Sequence, residues 1–367
     1  QPHVYAIVES NHVDKFAVDY FCNGDAKLTT AMDTIIKELH DAKEYGSILT
    51  VTPQDWSALY ARFAEIKEDI HISREAALRG LLPLVQVAEA LAQKYDVVVT
   101  NPPYMGGSGM STKLSDYVKK NYPDSKADLF AVFIEKCGQM AKKNGYQAMI
   151  TQHAWMFLSS FERMRGHLLH SVDIVTLAHL GVGTFVDLNS KVVQSVCFVF
   201  QNNHVVGYIG RYDRLFEQQG ICENNQEKEK WLLSGKHKFL TRQESFSKIP
   251  GSPVAYWVST GFVANYSKSK LGNYSDVITG MTIGDNNKYL RLWHEVNNKK
   301  VSFCASSMEE VDLSETNWIP YSKGGPRRNW YGNYEYIIKF SPSDYSLPTE
   351  SGNPLPSRQF YFCEGMN

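Results

Sequence analysis

The chain has 367 residues, more than one small domain needs, and two domains is the expectation. Apolar residues at 43% and charged residues at 21% match ordinary globular usage, which excludes a collagen-like, disordered or low-complexity chain. The 38 basic and 39 acidic side chains give a formal net charge of −1, which excludes a strongly basic nucleic-acid coat or a polybasic membrane arm but leaves room for a local basic surface.

In chain order, Val4–Val8 is a short β-branched and aromatic run that predicts a buried strand. Three helical patterns follow. Leu28, Met32, Ile35, Ile36 and Leu39 recur at helical spacing, with Gly46 as a stop. Thr52-Pro53-Gln54-Asp55 offers an N-cap with Pro at the first helical position, ahead of an apolar face of Trp56, Leu59, Tyr60, Phe63 and Ile70. The third helix is expected from about Ser73 to Lys94, kinked at Pro83.

Strands and helices then alternate. Asp96–Thr100 predicts a strand that enters a Pro-Pro turn. Residues 126–143 predict a helix with Leu129, Phe130, Phe133, Ile134, Cys137 and Met140 inward and Asn144-Gly145 as a left-handed C-cap. Strands are expected at Tyr146–Thr151, Ile174–Leu180 and Val192–Phe200. Between the first two, Ser159 and Glu162 suggest a capping box for a helix with Phe161, Met164, Leu168 and Leu169 on its inner face. Alternation of this kind predicts an α/β layer. Near Gln201–His204 helical periodicity fades, and Gly, Asn, Ser and aromatic residues rise. Residues 205–367 are therefore expected to form a second, mixed and loop-rich domain after a first domain at 1–204 with a helical insertion at about 26–94.

The six cysteines show no CxxC spacing, the eleven histidines no metal spacing, and no apolar run approaches the roughly 20 residues a membrane helix needs. The expectation is a cytoplasmic protein without a metal site, a disulfide framework or a membrane anchor. His153, just after a strand, is expected to play a structural or supporting part.

Asn101-Pro102-Pro103-Tyr104 directly follows the strand Asp96–Thr100. A ring-bound amine is a poor nucleophile because its lone pair is delocalised. Two acceptors aimed at its hydrogens, the Asn101 side-chain carbonyl and the Pro102 backbone carbonyl, would favour a pyramidal nitrogen. The prolines preset the backbone, and Tyr104 offers a stacking face worth roughly 1–3 kcal/mol. A Pro-rich turn of no function is the plain alternative.

With the preceding Tyr-Asp-Val-Val-Val-Thr, this motif resembles that of amino-methyltransferases that use S-adenosylmethionine. Ala127-Asp128-Leu129-Phe130, 144–150 and Gly183-Thr184-Phe185 resemble the motifs that follow it. Residues 280–296 and 318–338, together with the N-terminal residues 1–12 and the stretch 248–259, resemble the PglX-like adenine-specific DNA methyltransferases of BREX phage-defence systems, large γ-class enzymes of type IIG character. The resemblance implies a partial Rossmann-like methyltransferase sheet, lacking its first two strands, followed by a target-recognition domain. It implies methyl transfer from S-adenosylmethionine to the N6 amine of a flipped adenine in double-stranded DNA, with other defence-system subunits as possible partners. Asn101, Pro102, Pro103 and Tyr104 would hold the amine and base. Phe185 would pack on the base or serve as an ordinary core Phe at a strand end. Asp128 would border the cofactor.

In the second domain Lys323, Arg327 and Arg328, set among Gly324, Gly325, Trp330 and Tyr331, are candidates for DNA contact, and Arg291 between Tyr289 and Trp293 is a further one. A solvated loop is the alternative for each. The cofactor's Gly-rich loop has no counterpart here. Gly106-Gly107-Ser108-Gly109 lies in the wrong place and reads as a mobile substrate-side loop, and Gly181-Val182-Gly183 is a lone Gly-x-Gly. The start at Gln1 and the absent loop lead us to expect a piece of a longer protein, inactive alone. A non-catalytic DNA-binding specificity module is the rival reading.

Overall fold

The computed structural model describes residues 2–185, 193–218, 224–276, 278, 280, 281, 283, 285–313, 316–329, 332–340 and 358–363. They fall into two compact units, 1–268 and 269–367.

The first unit opens with helices α1 (Lys15–Cys22), α2 (Ala26–Glu38), α3 (Ala42–Tyr45), α4 (Trp56–Lys67) and α5 (Arg74–Ala92). Aspartates start three of them: Asp14 accepts from the Phe16 N–H, Asp25 from Lys27 and Leu28, and Asp55 from Ala58, each satisfying an otherwise orphaned first-turn donor. Asp55 thus opens α4 three residues after Thr52, the expected cap. Thr52 instead gives its N–H and hydroxyl to Glu38. Pro83 sits inside α5 without ending it. Phe21, Met32, Ile35, Leu59, Phe63, Leu81 and Val85 interlock in a helical core, each large side chain contributing about 1.5–3 kcal/mol on burial. The expected strand Val4–Val8 does not form, because no strand lies beside it to complete a ladder; Ile7 and Val8 pack on the helical core instead, and Val4 is exposed.

The sheet comes next, from β1 (Tyr95–Thr100), β2 (Ala141–Gln152), β3 (Asp173–Gly181), β4 (Ser195–Gln201), β5 (Ile209–Arg214) and β6 (Lys238–Arg242), in the order β1-β2-β4-β3-β5-β6. Helices α6 (Thr112–Asn121) and α7 (Leu129–Met140) fall between β1 and β2, α8 (Glu162–Ser171) precedes β3, and α9 (Asn225–Ser234) precedes β6. β2 runs parallel to β1 and antiparallel to β4, β3 is antiparallel to β4 and parallel to β5, and β6 is antiparallel to β5. The ends of β1, β2, β3 and β5 therefore share one edge of the sheet. This is the expected α/β class, as a mixed sheet that β5 and β6 extend beyond residue 204. Phe130, Trp155, Phe198, Phe200 and Tyr212 fill the core against it. β1 is an edge strand, and Val97 and Val99 stand 55% and 70% exposed on one face.

Two expected helix ends differ. Asn144 is left-handed (φ 63°), yet it caps nothing: α7 ends at Met140 and the chain passes straight into β2. Asn144 and Gly145 form a bulge in β2 that exchanges backbone hydrogen bonds with Asn202 (3.1 and 2.8 Å). A Cβ on Gly145 would lie 2.9 Å from the Asp96 carbonyl, so only glycine fits. Nor do Ser159 and Glu162 make a capping box, since a short 3-10 turn at Ser159–Phe161 leads into α8 and its N-cap position, Phe161, carries no side-chain cap. The helical core is fastened to the sheet layer by two buried bonds: Tyr122 donates to the Ile48 carbonyl and Lys136 to that of Leu49, both at 2.6 Å. Burial lowers the Lys136 ammonium to about 8.

The second unit holds a three-stranded antiparallel sheet, β7 (Leu290–Leu292), β8 (Trp318–Tyr321) and β9 (Tyr336–Lys339), in the order β7-β9-β8. Leu290, Val311, Ile319, Ile338 and Phe340 form its small core. Among the described residues, no helix is long and apolar enough to cross a membrane.

Candidate active site

β1 delivers Asn101 to the carboxyl edge of the sheet, where β-branched residues give way to two prolines that cannot continue a ladder. Asn101 is exposed, and its carboxamide has no hydrogen-bond partner among the described residues, so its oxygen is free to accept. Pro102 is buried and anchors the turn. Tyr104 is half-buried: its ring meets Phe130 edge-on at 6.1 Å and Phe185 at 6.4 Å and 67°. The structure thus brings Tyr104 and Phe185 together across 81 positions, as two crossed rings rather than a parallel cleft. Burial raises the Tyr104 phenol, with Ser195 nearby pulling the other way.

Asp128 caps α7 by accepting from the Phe130 N–H at 3.3 Å, and the same oxygen accepts from the Met105 N–H at 3.0 Å. Leu129 donates back to the Met105 carbonyl at 3.0 Å. One carboxylate therefore locks the segment after Tyr104 to the helix that supplies Phe130. Burial raises its pKa, and the N–H groups of Phe130, Met105 and Leu129 hold it back. The Gly-rich segment is tied down as well: Gly107 donates to the Ala127 carbonyl (3.3 Å) and Gly109 to that of Gly106 (2.8 Å), within a 3-10 turn. Asp128→Ala is expected to cost about 1–2 kcal/mol, the usual worth of a lost N-cap, and Asp128→Asn to restore most of it. Thermal melts of the three forms check this, and an undiminished melt for Asp128→Ala would contradict it.

A second constellation shares this edge of the sheet. Nδ1 of His153, just after β2, lies 2.8 Å from Nε2 of His179 in β3, and Nδ1 of His179 lies 3.1 Å from the Tyr256 hydroxyl. Burial lowers His153 to about 4. His179 is lowered to about 3, chiefly by burial and further by His153 and Arg214. An unfolded chain takes up these protons near 6.5, the native state only well below. Stability is therefore full above pH 6.5 and falls as the pH drops toward 4. Urea unfolding is expected to give a clearly lower midpoint at pH 5 than at pH 7, and His153→Gln, which cannot titrate, to narrow the gap; an unchanged gap in the variant would sink this assignment. Gly181, left-handed at φ 68°, ends β3 and leaves room for Phe216, whose ring a Cβ would meet at 2.8 Å. The lone Gly-x-Gly is thus a packing turn.

In the second unit, Arg291 gives its Nη1 to the Asn287 and Leu290 carbonyls, both at 2.6 Å. Lys323 lies over the Tyr336 ring at 4.7 Å, Arg328 is 3.7 Å from Glu335, and Arg327 is exposed. Trp330 and Tyr331 lie outside the described residues. Among the described residues no His, Cys, Asp or Glu cluster is placed to hold a metal ion.

Residues 25–185 match the Eco57I restriction-modification methylase family. Over 88% of its length the chain is 38% identical to the adenine-specific methyltransferase BrxX of Escherichia coli O9:H4 (strain HS), covering 26% of that protein. Over 70% of its length it is 42% identical to the adenine-specific methyltransferase PglX of Lacticaseibacillus casei (strain Zhang), covering 22% of it. The chain thus spans about a quarter of the length of these relatives. Among solved structures, the type IIL restriction-modification enzyme MmeI in complex with DNA aligns at a TM-score of 0.35 and 12% identity, over 72% of this chain and 31% of MmeI.

Proposed function

We infer, from a chain that belongs with the adenine-specific methyltransferases BrxX and PglX, that the protein carrying it methylates the exocyclic N6 amine of adenine in double-stranded DNA, within a phage-defence or restriction-modification system. The observation that carries this reading is the free Asn101 carboxamide at the carboxyl end of β1, on a turn that Pro102 and Asp128 immobilise beside the Tyr104 and Phe185 rings.

S-adenosylmethionine would supply the methyl group as an electrophile. Asn101 Oδ1 and the Pro102 carbonyl would accept the two amine hydrogens and free the nitrogen lone pair. Tyr104 and Phe185 would grip an adenine turned out of the duplex, which costs a few kcal/mol. The 67° between their rings means that one of them turns as the base enters. No carboxylate or imidazole base is needed, because the amine proton leaves after the nitrogen has bonded to the methyl group.

The described residues fit the acceptor side of this reaction better than the donor side. The structurally defined hydrogen bonds of Asp128 go to backbone N–H groups of its own chain, and β1 offers Val97 and Val99 in the open. We propose that residues outside this chain complete the cofactor's site. Target recognition is proposed for the second unit, with Lys323, Arg327 and Arg328 as contacts to DNA. Arg291, whose Nη1 is spent on backbone carbonyls, would reach DNA through Nε and Nη2. Other defence-system subunits remain proposed partners.

The test is a map of modified bases in host DNA with and without the gene for the full protein. The expected result is N6-methyladenine at one short recurrent sequence, present only with the gene. Identical adenine modification in both strains would contradict the proposal.

A further inference from the structure

The carboxyl edge of the sheet carries a cavity of about 510 Å3 that no residue of the Asn101–Tyr104 turn lines. Its walls include His153, Phe157, His179, Arg214, Phe216 and Trp257. This volume lies in the range of small-molecule sites, roughly 300–1,000 Å3. His153 follows β2, His179 stands near the end of β3 and Arg214 ends β5. From β1 to β3 is three ladder spacings, so the cavity sits on the order of 15 Å along the edge from Asn101.

Three kinds of group meet there. The first is aromatic surface: Phe157 lies 5.7 Å from Trp257 and 6.0 Å from His179, and Phe216 stands edge-on to His179 at 4.8 Å. Trp257 is 39% exposed, so part of this surface is open to a ligand. The second is a single cation. Arg214 is held over Phe216 at 5.3 Å, with Nε bonded to the Phe216 carbonyl at 3.1 Å and one Nη to that of Glu217. Its other Nη has no hydrogen-bond partner among the described residues, and none of the described residues lining the cavity is a carboxylate, although the Glu217 carboxylate is near enough to feel its charge. The third is a switchable polar point. The chain His153–His179–Tyr256 engages Nδ1 of His153 and leaves Nε2 without a partner among the described residues. If Tyr256 donates inward, the protons shift along the chain and His153 Nε2 carries a hydrogen; if the chain runs the other way, Nε2 accepts. Either tautomer can serve the edge of a heteroaromatic ring.

We propose that this cavity binds a nucleotide, with the base on the Phe157–Trp257–Phe216 surface, His153 Nε2 at the base's edge and the phosphate at Arg214. An apolar ligand would leave Arg214 and His153 unmatched, and an inorganic anion would leave the aromatic walls unused. The nucleotide is either one belonging to a bound DNA strand, a few positions from the base held at Asn101, or a free one. Binding here does not require methyl transfer, so it stands or falls separately from the proposed activity.

The experiment is ligand-observed NMR on the full-length protein with 2′-deoxyadenosine 5′-monophosphate, 2′-deoxyadenosine and inorganic phosphate. Circular dichroism and thermal melts confirm that each variant is folded. The nucleotide is expected to bind at least tenfold more tightly than the nucleoside or phosphate. Trp257→Ala and His153→Gln should each weaken it fivefold or more. A single-stranded oligonucleotide that displaces it with the same sensitivity to Trp257→Ala identifies DNA as the source. Nucleotide binding that persists under saturating oligonucleotide identifies a free nucleotide. The proposal is overturned if the folded protein binds none of the three probes, or if binding survives both cavity variants.

Discussion

Asn101→Ala is expected to lower the methylation rate of the full-length protein by about 10²–10³, with DNA affinity changed less than threefold. The size follows from the loss of one preorganised polar contact that acts where charge develops, worth roughly 2.7–4 kcal/mol in comparable sites. The residue is suited to that part because it holds nothing up. It is exposed, its side chain has no partner among the described residues, and its turn is fixed by Pro102 and by Asp128 instead. Its removal should leave the melting temperature within about 2 °C of the native value. Asn101→Asp keeps an acceptor of the same reach and should retain more activity than alanine. Single-turnover transfer of labelled methyl separates the step from binding and release. An alanine variant that transfers at the native rate would remove Asn101 from the chemistry, and a large fall in stability would make its part structural.

Arg165 carries the second large effect. It is 1% exposed and lies in α8 with no carboxylate bonded to it among the described residues. Its guanidinium serves four backbone carbonyls instead: Trp155 at 2.8 Å and Leu158 at 3.0 Å through Nη1, Ser252 at 3.0 Å through Nε, and Gly251 through Nε and Nη2. One side chain thereby joins the segment after β2 to the turn at 251–252. Burial lowers its pKa, with Glu162 partly offsetting. Arg165→Leu removes the charge and strands four carbonyls, and is expected to cost about 3–5 kcal/mol, the range for breaking a buried charged network. In a unit of this size that is on the order of 10 °C in melting temperature. Arg165→Lys, a point donor without the planar fork, should fall between the two. Thermal melts check the order; a leucine variant as stable as the native protein would show that these carbonyls are satisfied without the guanidinium.

What could be read in the sequence had short range. The valine run before two prolines marks β1 and its end because both signals lie within nine residues of each other. Phe185 could be paired with Tyr104 only through the resemblance, since no spacing rule connects residues on different strand ends. The helix expected over 126–143 takes in Asp128, but the bond from Met105 to its carboxylate depends on how the turn after β1 folds back, which the local pattern does not encode. The same limit hid the His153–His179 pair. Its partners are 26 positions apart and meet only because β3 and β4 pair as they do, setting His179 opposite Val196 and beside the end of β2. Nothing in the local pattern marks Arg165, because two of its four acceptors are backbone atoms 86 and 87 positions away. The misplaced strand at Val4–Val8 has the converse cause: β-propensity without a neighbour to pair with leaves an extended segment. Asn144-Gly145 carries a genuine left-handed signal that a bulge uses as readily as a helix end does.

The central claim is that the Asn101–Tyr104 turn presents an adenine amine for methylation. It is tested most directly by incubating purified full-length protein with S-adenosylmethionine labelled on its methyl group and unmethylated DNA, then digesting the DNA to nucleosides. The account predicts label in N6-methyldeoxyadenosine alone, incorporated about 10²–10³ more slowly when Asn101 is alanine. Label in a cytosine derivative, or equal label at adenine N6 with and without Asn101, would contradict it.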